Sequence, residues 1–294
     1  MNEPLISIIT PTYMRHRFFK QTIRNVQKQI YNLKNVEWII IDDGEIPVRE
    51  IVCTHPIQKE LRDLVYIYMK PTPKLTIGHK RNIGKTVARG DYIIHLDDDD
   101  WYSPTYWAVL VHMLSNSKYQ IIGATTMYFI YRDSPYVYRS GPFHRNHCCA
   151  GLMGYKKYYA QNTNYDPEAT HGEERSFLRQ YQQNILQLDN SYHLFLGINH
   201  RSNTWDKDKM KKEKTNMLWW EIVKSEVEQR FYFGIYQNHY TPHLKTAYNL
   251  NQSIQSLRFL LFILIKKICV IDVLYTYYIS QLRKEVTFSN DDHN

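Results

Sequence analysis

Four consecutive aspartates, Asp97 to Asp100, follow the apolar run Tyr92-Ile93-Ile94-His95-Leu96. Carboxylates crowded at the end of a strand repel one another, and a divalent cation relieves that repulsion. Mg²⁺ and Mn²⁺ take oxygen ligands and commonly combine one or two carboxylates with substrate phosphates. The competing account is an acidic turn capping a helix that starts near Ser103-Pro104, because aspartate caps helix N-termini and proline suits the first turn. A cap accounts for one or two of the aspartates and leaves the others unexplained.

The elements that must position this run can be read from periodicity. Leu5 to Thr10 is an apolar strand expected to end at Pro11, Val36 to Ile41 is a second, Leu64 to Met69 a third and Tyr92 to Leu96 a fourth. Helical spacing fills Phe18 to Leu33 and Ile77 to Arg89, the latter stopped at Gly90. Strands alternating with helices imply right-handed βαβ units and a largely parallel sheet, whose ligands bind beyond the carboxyl ends of the strands. Three strands end in polar clusters there: Pro11-Thr12-Tyr13, Asp42-Asp43 and Asp97 to Asp100. Their convergence predicts one pocket for a nucleotide-like or phosphorylated ligand. Beyond Trp101 the pattern predicts a helix over 107–114 and strands over 120–131 and 136–138. A helix from His171 to about Tyr181, a strand over 194–198 and a basic helical stretch from Thr204 onward complete it.

The chain has 294 residues, 43% hydrophobic and 22% charged, which suits a folded protein. A net charge of +8 fits phosphorylated ligands or an anionic membrane surface. No arginine-rich arm or zinc-finger spacing points to nucleic acid. Cys53, Cys148, Cys149 and Cys269 form no C-x-x-C pair, which favours a reducing compartment. Met-Asn-Glu-Pro leads straight into a strand pattern, so no signal peptide is expected. The expected location is cytoplasmic, with membrane association left open, and not secreted.

Five segments occur in order: Ser7 to Tyr13, Ile41-Asp42-Asp43-Gly44, Lys80-Arg81-Asn82-Ile83-Gly84, Gly90 to Asp100, and Gly172-Glu173-Glu174. Together they resemble the family-2 inverting glycosyltransferases of the GT-A fold over residues 4–205. The resemblance implies an α/β, Rossmann-like, mostly parallel sheet flanked by helices. The transferase domain would span 1–205, and 206–294 would be a basic, mostly helical extension.

The resemblance also implies roles. Asp97-Asp98-Asp99 is similar to a D-x-D element, with Asp99 on Mn²⁺ or Mg²⁺ and Asp97 and Asp98 toward the donor. Asp42 corresponds to the family's nucleotide-binding aspartate. Pro11, Thr12, Tyr13 and Arg15 would line the donor pocket, and Arg81 would reach the nucleotide or its phosphates. Glu174 is the implied general base. The family usually has Glu-Asp where this chain has Glu173-Glu174, so Glu173 is a second candidate. His200, in His200-Arg201-Ser202-Asn203-Thr204, is placed to complete a metal shell.

The implied reaction is metal-dependent transfer from a nucleotide-diphosphate sugar, UDP-linked and of hexosyl or N-acetylhexosaminyl type, in glycan or glycoconjugate synthesis. The acceptor would be a carbohydrate, a lipid-linked sugar or a protein. Two other readings stand beside it: a nucleotidyltransferase, and a non-catalytic nucleotide-sugar-binding module. The first usually carries a glycine-rich loop after its first strand, and Pro11 to Arg17 has no glycine.

Three further features need an account. His144 to Cys149 offers soft ligands without a second pair at zinc-site distance, and reads as a loop near the acceptor. Trp101 could stack on a sugar or pack in the core. Leu257 to Tyr278 is apolar but broken by Lys266, Lys267 and Asp272, too interrupted for a span of ~20 apolar residues. It is expected to make a core or homo-oligomer contact, ahead of a peripheral membrane contact.

Overall fold

A computed structural model describes residues 3–236, apart from 71, 204 and 205, together with the isolated positions 249, 253 and 257. The chain divides into a compact unit, 1–239, and a second unit, 240–294, which lies almost wholly outside the described residues. The expectations for Leu257 to Tyr278 therefore fall outside them too.

Strand β1 (Ile6–Thr12) leads into α1 (His16–Gln27), and β2 (Val36–Asp42) into α2 (Arg49–Cys53) and α3 (Ile57–Glu60). Next come β3 (Asp63–Tyr68), α4 (Ile77–Val87) and β4 (Tyr92–His95), which ends at the acidic run. The middle of the chain holds β5 (Trp101–Tyr102), α5 (Tyr106–Ser115), β6 (Ile121–Gly123), β7 (Met127–Ile130), β8 (Tyr136–Ser140), β9 (Met153–Lys156) and α6 (Lys157–Ala160). Then follow α7 (Glu174–Phe177), β10 (Leu186–Gln187), β11 (Phe195–Ile198), β12 (Glu213–Leu218), α8 (Trp219–Ile222) and α9 (Glu226–Tyr236).

A seven-stranded sheet has the order β10-β6-β9-β4-β1-β2-β3. Its β4-β1-β2-β3 half is parallel, and β9 runs antiparallel between β4 and β6. Alternation along β1 and β2 sends Ile6, Ile8, Trp38 and Ile40 into the cluster beneath α1, and Ile9, Ile39 and Ile41 into the other. Both faces are thus covered, which is why these strands read as continuous apolar runs. The register pairs Thr12 with Asp42 and Ile9 with His95, so three strands end side by side. Helix α4 closes on this sheet at Gly84, where an added Cβ would stand 2.7 Å from Ile9 Cγ2.

Several expectations change. β1 runs through Pro11 to Thr12. The single strand expected over 120–131 is two, because β7 leaves the first sheet for a five-stranded one ordered β12-β8-β7-β11-β5. The helix expected from His171 to Tyr181 shrinks to the four residues of α7, because Arg179, Gln180 and Tyr181 adopt φ of 51°, 55° and 62°. The basic stretch after Thr204 contains β12, paired antiparallel with β8. Residues 206–236 belong to the main unit rather than to an extension beginning at 206. Glu228 of α9 accepts hydrogen bonds from Gln21 (2.7 Å) and Trp101 Nε1 (3.2 Å) and pairs with Lys28, which caps the C-terminus of α1. Trp101 is therefore a buried packing residue turned toward α9.

Candidate active site

A cavity of about 540 Å³ opens at the carboxyl ends of β1 and β4. It brings together Pro11, Thr12, Tyr13, Arg15, Arg81 and Asp97 to Asp99 with Glu173 and Glu174. Asp42 and His200 are not on its wall.

Asp42 is consumed by its own turn. Its Oδ1 accepts the Gly44 N–H (2.8 Å), and its Oδ2 accepts the Val48 N–H (2.8 Å) and the Tyr66 hydroxyl (2.5 Å). The next residue, Asp43, points the other way, accepting the Leu75 N–H at 2.7 Å and pairing with Lys80. Lys80 Nζ also donates to the Thr12 carbonyl (2.9 Å). Lys74 Nζ lies 4.0 Å from the centre of the Tyr13 ring. This end of the cavity therefore presents an aromatic ring and two lysines, arranged by a buried aspartate the cavity does not touch.

The acidic run is neutralised from two directions. Arg15 reaches Asp98 Oδ1 (3.4 Å) and Asp99 Oδ2 (3.3 Å), and donates to the Ser202 carbonyl. Lys207 lies 2.8 Å from Asp100 Oδ1 and 3.9 Å from Asp99 Oδ1. Burial pushes Asp98 up to about 7, against the pull of Arg15. Burial likewise pushes Asp100 up to about 7, against Lys207. For Asp99, burial is outweighed by Lys207, the hydrogen bond from His200 and Arg15, which hold its carboxyl well below the usual range. A carboxylate held ionised by its neighbours thus sits between two that burial pushes toward the protonated form.

Arg81 is buried, and its fork is engaged on every side. Nε donates to Glu173 Oε1 (3.0 Å), Nη2 to Asp97 Oδ1 (3.0 Å), and Nη1 stands 3.0 Å from His95 Nδ1. Burial, reinforced by the Arg81 charge, holds His95 neutral. Arg81 therefore joins the acidic run to the Glu173 loop, and its three directions are spent within the chain. Glu173, though paired, is pushed upward by burial. Glu174 lies 3.5 Å from His147 Nε2 and has no lysine or arginine within ion-pair distance among the described residues. The loop from His144 to Cys149 does reach this end of the cavity, through His147 and Cys149. Gly78 in the first turn of α4 lets the Glu173 loop pack close behind it, since a Cβ there would collide with the Asp166 carbonyl and stand 3.3 Å from Glu173 Cβ.

Asp99 Oδ2 accepts from His200 Nε2 (2.9 Å) and Asn203 Nδ2 (3.2 Å). A carboxylate beside a neutral imidazole is a donor pair that Mn²⁺ accepts. Among the described residues no group of three or more His, Cys, Asp or Glu side chains could hold an ion. Two ligands from the chain would leave the remaining positions of any ion to oxygens from outside it. Ser202 N–H donates to His200 Nδ1 at 3.2 Å, which puts the imidazole proton on Nε2, facing Asp99. An ion bound there through His200 would displace that proton.

Lys207, Lys80, Lys74 and His147 were not singled out as site residues from sequence. Lys207 lies in the basic stretch after Thr204, in a short turn ahead of β12, and Lys80 beside an arginine that carried the family resemblance.

A profile described as Glycosyl transferase family 2 matches residues 7–186. An uncharacterized glycosyltransferase of Haemophilus influenzae is 40% identical over 101 residues, 34% of this chain and 38% of that protein. The GalNAc(5)-diNAcBac-PP-undecaprenol beta-1,3-glucosyltransferase of Campylobacter jejuni is 29% identical over 97 residues, 33% of this chain and 30% of its own length. The match thus spans about a third of each of these relatives. Among solved structures, S. aureus TarS 1-349 in complex with UDP-GlcNAc is similar with a TM-score of 0.54 at 12% identity, covering 80% of this chain and 71% of that one. The Mn²⁺ and GDP-Man complex of the mannosyltransferase PcManGT from Pyrobaculum calidifontis is similar with a TM-score of 0.50 at 13% identity, covering 67% and 57%. At such identities the likeness establishes the GT-A-like fold.

Proposed function

The chain belongs to glycosyl transferase family 2, and on that premise we propose that it moves a sugar from a UDP-sugar to a hydroxyl acceptor in glycan or glycoconjugate synthesis. One observation carries the reading: one cavity is lined both by the acidic run and by Glu174, which among the described residues has no lysine or arginine within ion-pair distance. Family-2 enzymes invert the anomeric centre, which requires a base and a leaving group on opposite sides of the sugar.

In this reading Glu174 takes the proton of the acceptor hydroxyl as its oxygen attacks the anomeric carbon. Glu173 is held by Arg81 and keeps the loop in place. Tyr13, with Lys74 and Lys80 beside it, receives the nucleotide end. Asp97, held by Arg81, faces the donor. Asp99, with His200 behind it, would hold Mn²⁺ or Mg²⁺, which when bound supplies charge stabilisation to the departing diphosphate. Arg15 and Lys207 keep the acidic run folded by compensating it. Asp42 shapes the turn from which Asp43 reaches Lys80.

Family membership weighs against the nucleotidyltransferase. Release of UDP from UDP-sugars without acceptor separates a working transferase from a module that only binds. A donor at 100 times its Kd should add ~2.7 kcal/mol of stability, visible as a thermal shift. No release from UDP-glucose, UDP-galactose or UDP-GlcNAc with Mn²⁺, together with no shift, would sink the proposal.

A further inference from the structure

The wall beside Glu174 has a chemistry of its own. Among the exposed large hydrophobic side chains of the described residues, Phe143 is the one that lines the cavity, at 44% exposure. Its ring meets His147 edge to face, centroids 5.1 Å apart, and His147 packs on Tyr181 at 5.7 Å. His147 Nε2 then lies 3.5 Å from Glu174. An aromatic surface open to the cavity thus leads through one imidazole to the carboxylate.

The wall is braced. Phe143 and His144 both donate their N–H to Thr125 Oγ1, at 3.0 and 3.1 Å, and Asn146 Nδ2 donates to the Tyr181 carbonyl at 3.0 Å. A platform ordered in advance loses little entropy when a ligand settles on it.

The cavity's cations lie elsewhere. Arg15 and Lys207 serve the acidic run, Arg81 joins Asp97 to Glu173, Lys80 pairs with Asp43, and Lys74 covers Tyr13. An anionic acceptor on the Phe143 wall would lie beside Glu174, and each lysine or arginine that lines the cavity is engaged away from that wall. A pyranose ring suits both demands of the wall. Its C–H face buries apolar area against an aromatic ring, and its edge carries hydroxyls for Glu174.

We infer that the acceptor is a neutral pyranoside whose ring face stacks on Phe143 while one hydroxyl meets Glu174, which His147 orients. The inference rests on the transferase reading above. His147 is a positioning residue here: its Nε2 faces Glu174, and its Nδ1 has no hydrogen-bond partner among the described residues.

Saturation-transfer NMR on the full chain with UDP and diamagnetic Mg²⁺ tests this without turnover. The probes are the methyl β-pyranosides of glucose, galactose and N-acetylglucosamine, with ribitol phosphate as the anionic control. At least one pyranoside should receive saturation on one ring face. Phe143→Ala should weaken its binding by about tenfold, and Phe143→Trp should retain it. UDP signals should be unchanged in both variants. Saturation of ribitol phosphate alone, or equal pyranoside binding in Phe143→Ala, overturns the inference while UDP signals persist. Loss of UDP signals in the native protein overturns the nucleotide-sugar reading instead.

Discussion

Arg81 Nε and Glu173 Oε1 stand 3.0 Å apart in a buried ion pair, and this contact separates two adjacent glutamates that look alike in sequence. Glu173 is spent on the fold, while Glu174 keeps its carboxylate for the cavity. Glu174→Gln should lower kcat by ~10²–10⁴-fold, the usual contribution of a general base. UDP-induced thermal stabilisation should be preserved. Near-native turnover in this variant would falsify the assignment.

Arg81→Lys removes a fork that serves Glu173 and Asp97 at once, and a single ammonium cannot replace it. Breaking a buried pair commonly costs about 3–5 kcal/mol. Urea unfolding should show a loss of that order, and a variant as stable as the parent would mean the network is slack.

Which glutamate is free, and what Arg81 does, were beyond reach of the sequence for one physical reason. A motif gives a residue's place along a strand or loop, and the direction of its side chain depends on neighbours far away in the chain. Asp42 shows this well. Its position at the end of β2 was legible from the apolar run before it, yet its carboxylate closes its own turn and Asp43 faces Lys80. The four parallel strands and the Asp97 to Asp99 end of the cavity were legible because fully buried strands and polar strand ends leave strong patterns. The second sheet was not, because β5, β7 and β11 are strands of two to four residues whose pairing skips along the chain.

Stability should depend on pH through Glu173. Burial raises its folded value above the ordinary 4.5, so the folded state holds the proton more tightly than the unfolded chain. Its contribution is fully present below about pH 4.5 and is lost as pH rises through the raised folded value. Glu173→Gln should flatten that part of the Tm-versus-pH curve. Parallel curves for the two proteins would contradict the shift.

Gly151 touches the donor end closely enough to matter. A Cβ there would stand 2.6 Å from Asp97 Oδ2. Gly151→Ala should displace Asp97 and lower kcat/KM by up to about 10²-fold, the scale of a small misplacement near reacting groups. Because the clash is with a side-chain end, stability should change by less than about 1 kcal/mol. Steady-state kinetics with a Tm measurement would expose the opposite pattern.

Asp99→Asn should abolish any extra thermal stabilisation that Mn²⁺ adds to the UDP complex, leaving the effect of UDP alone. If Mn²⁺ adds the same increment to both proteins, the ion is held elsewhere.

The lysine that neutralises Asp100 follows it by 107 residues, and the carbonyl that anchors Arg15 follows by 187. During synthesis the acidic run therefore leaves the ribosome with Arg15 and Arg81 already made but long before Lys207 exists. A nascent chain stopped at residue 186, where the family match ends, would carry Asp100 without Lys207 and Arg15 without its anchoring carbonyl. A fragment cut at the family boundary lacks the lysine that completes the neutralisation of the acidic run, and is the wrong unit to express.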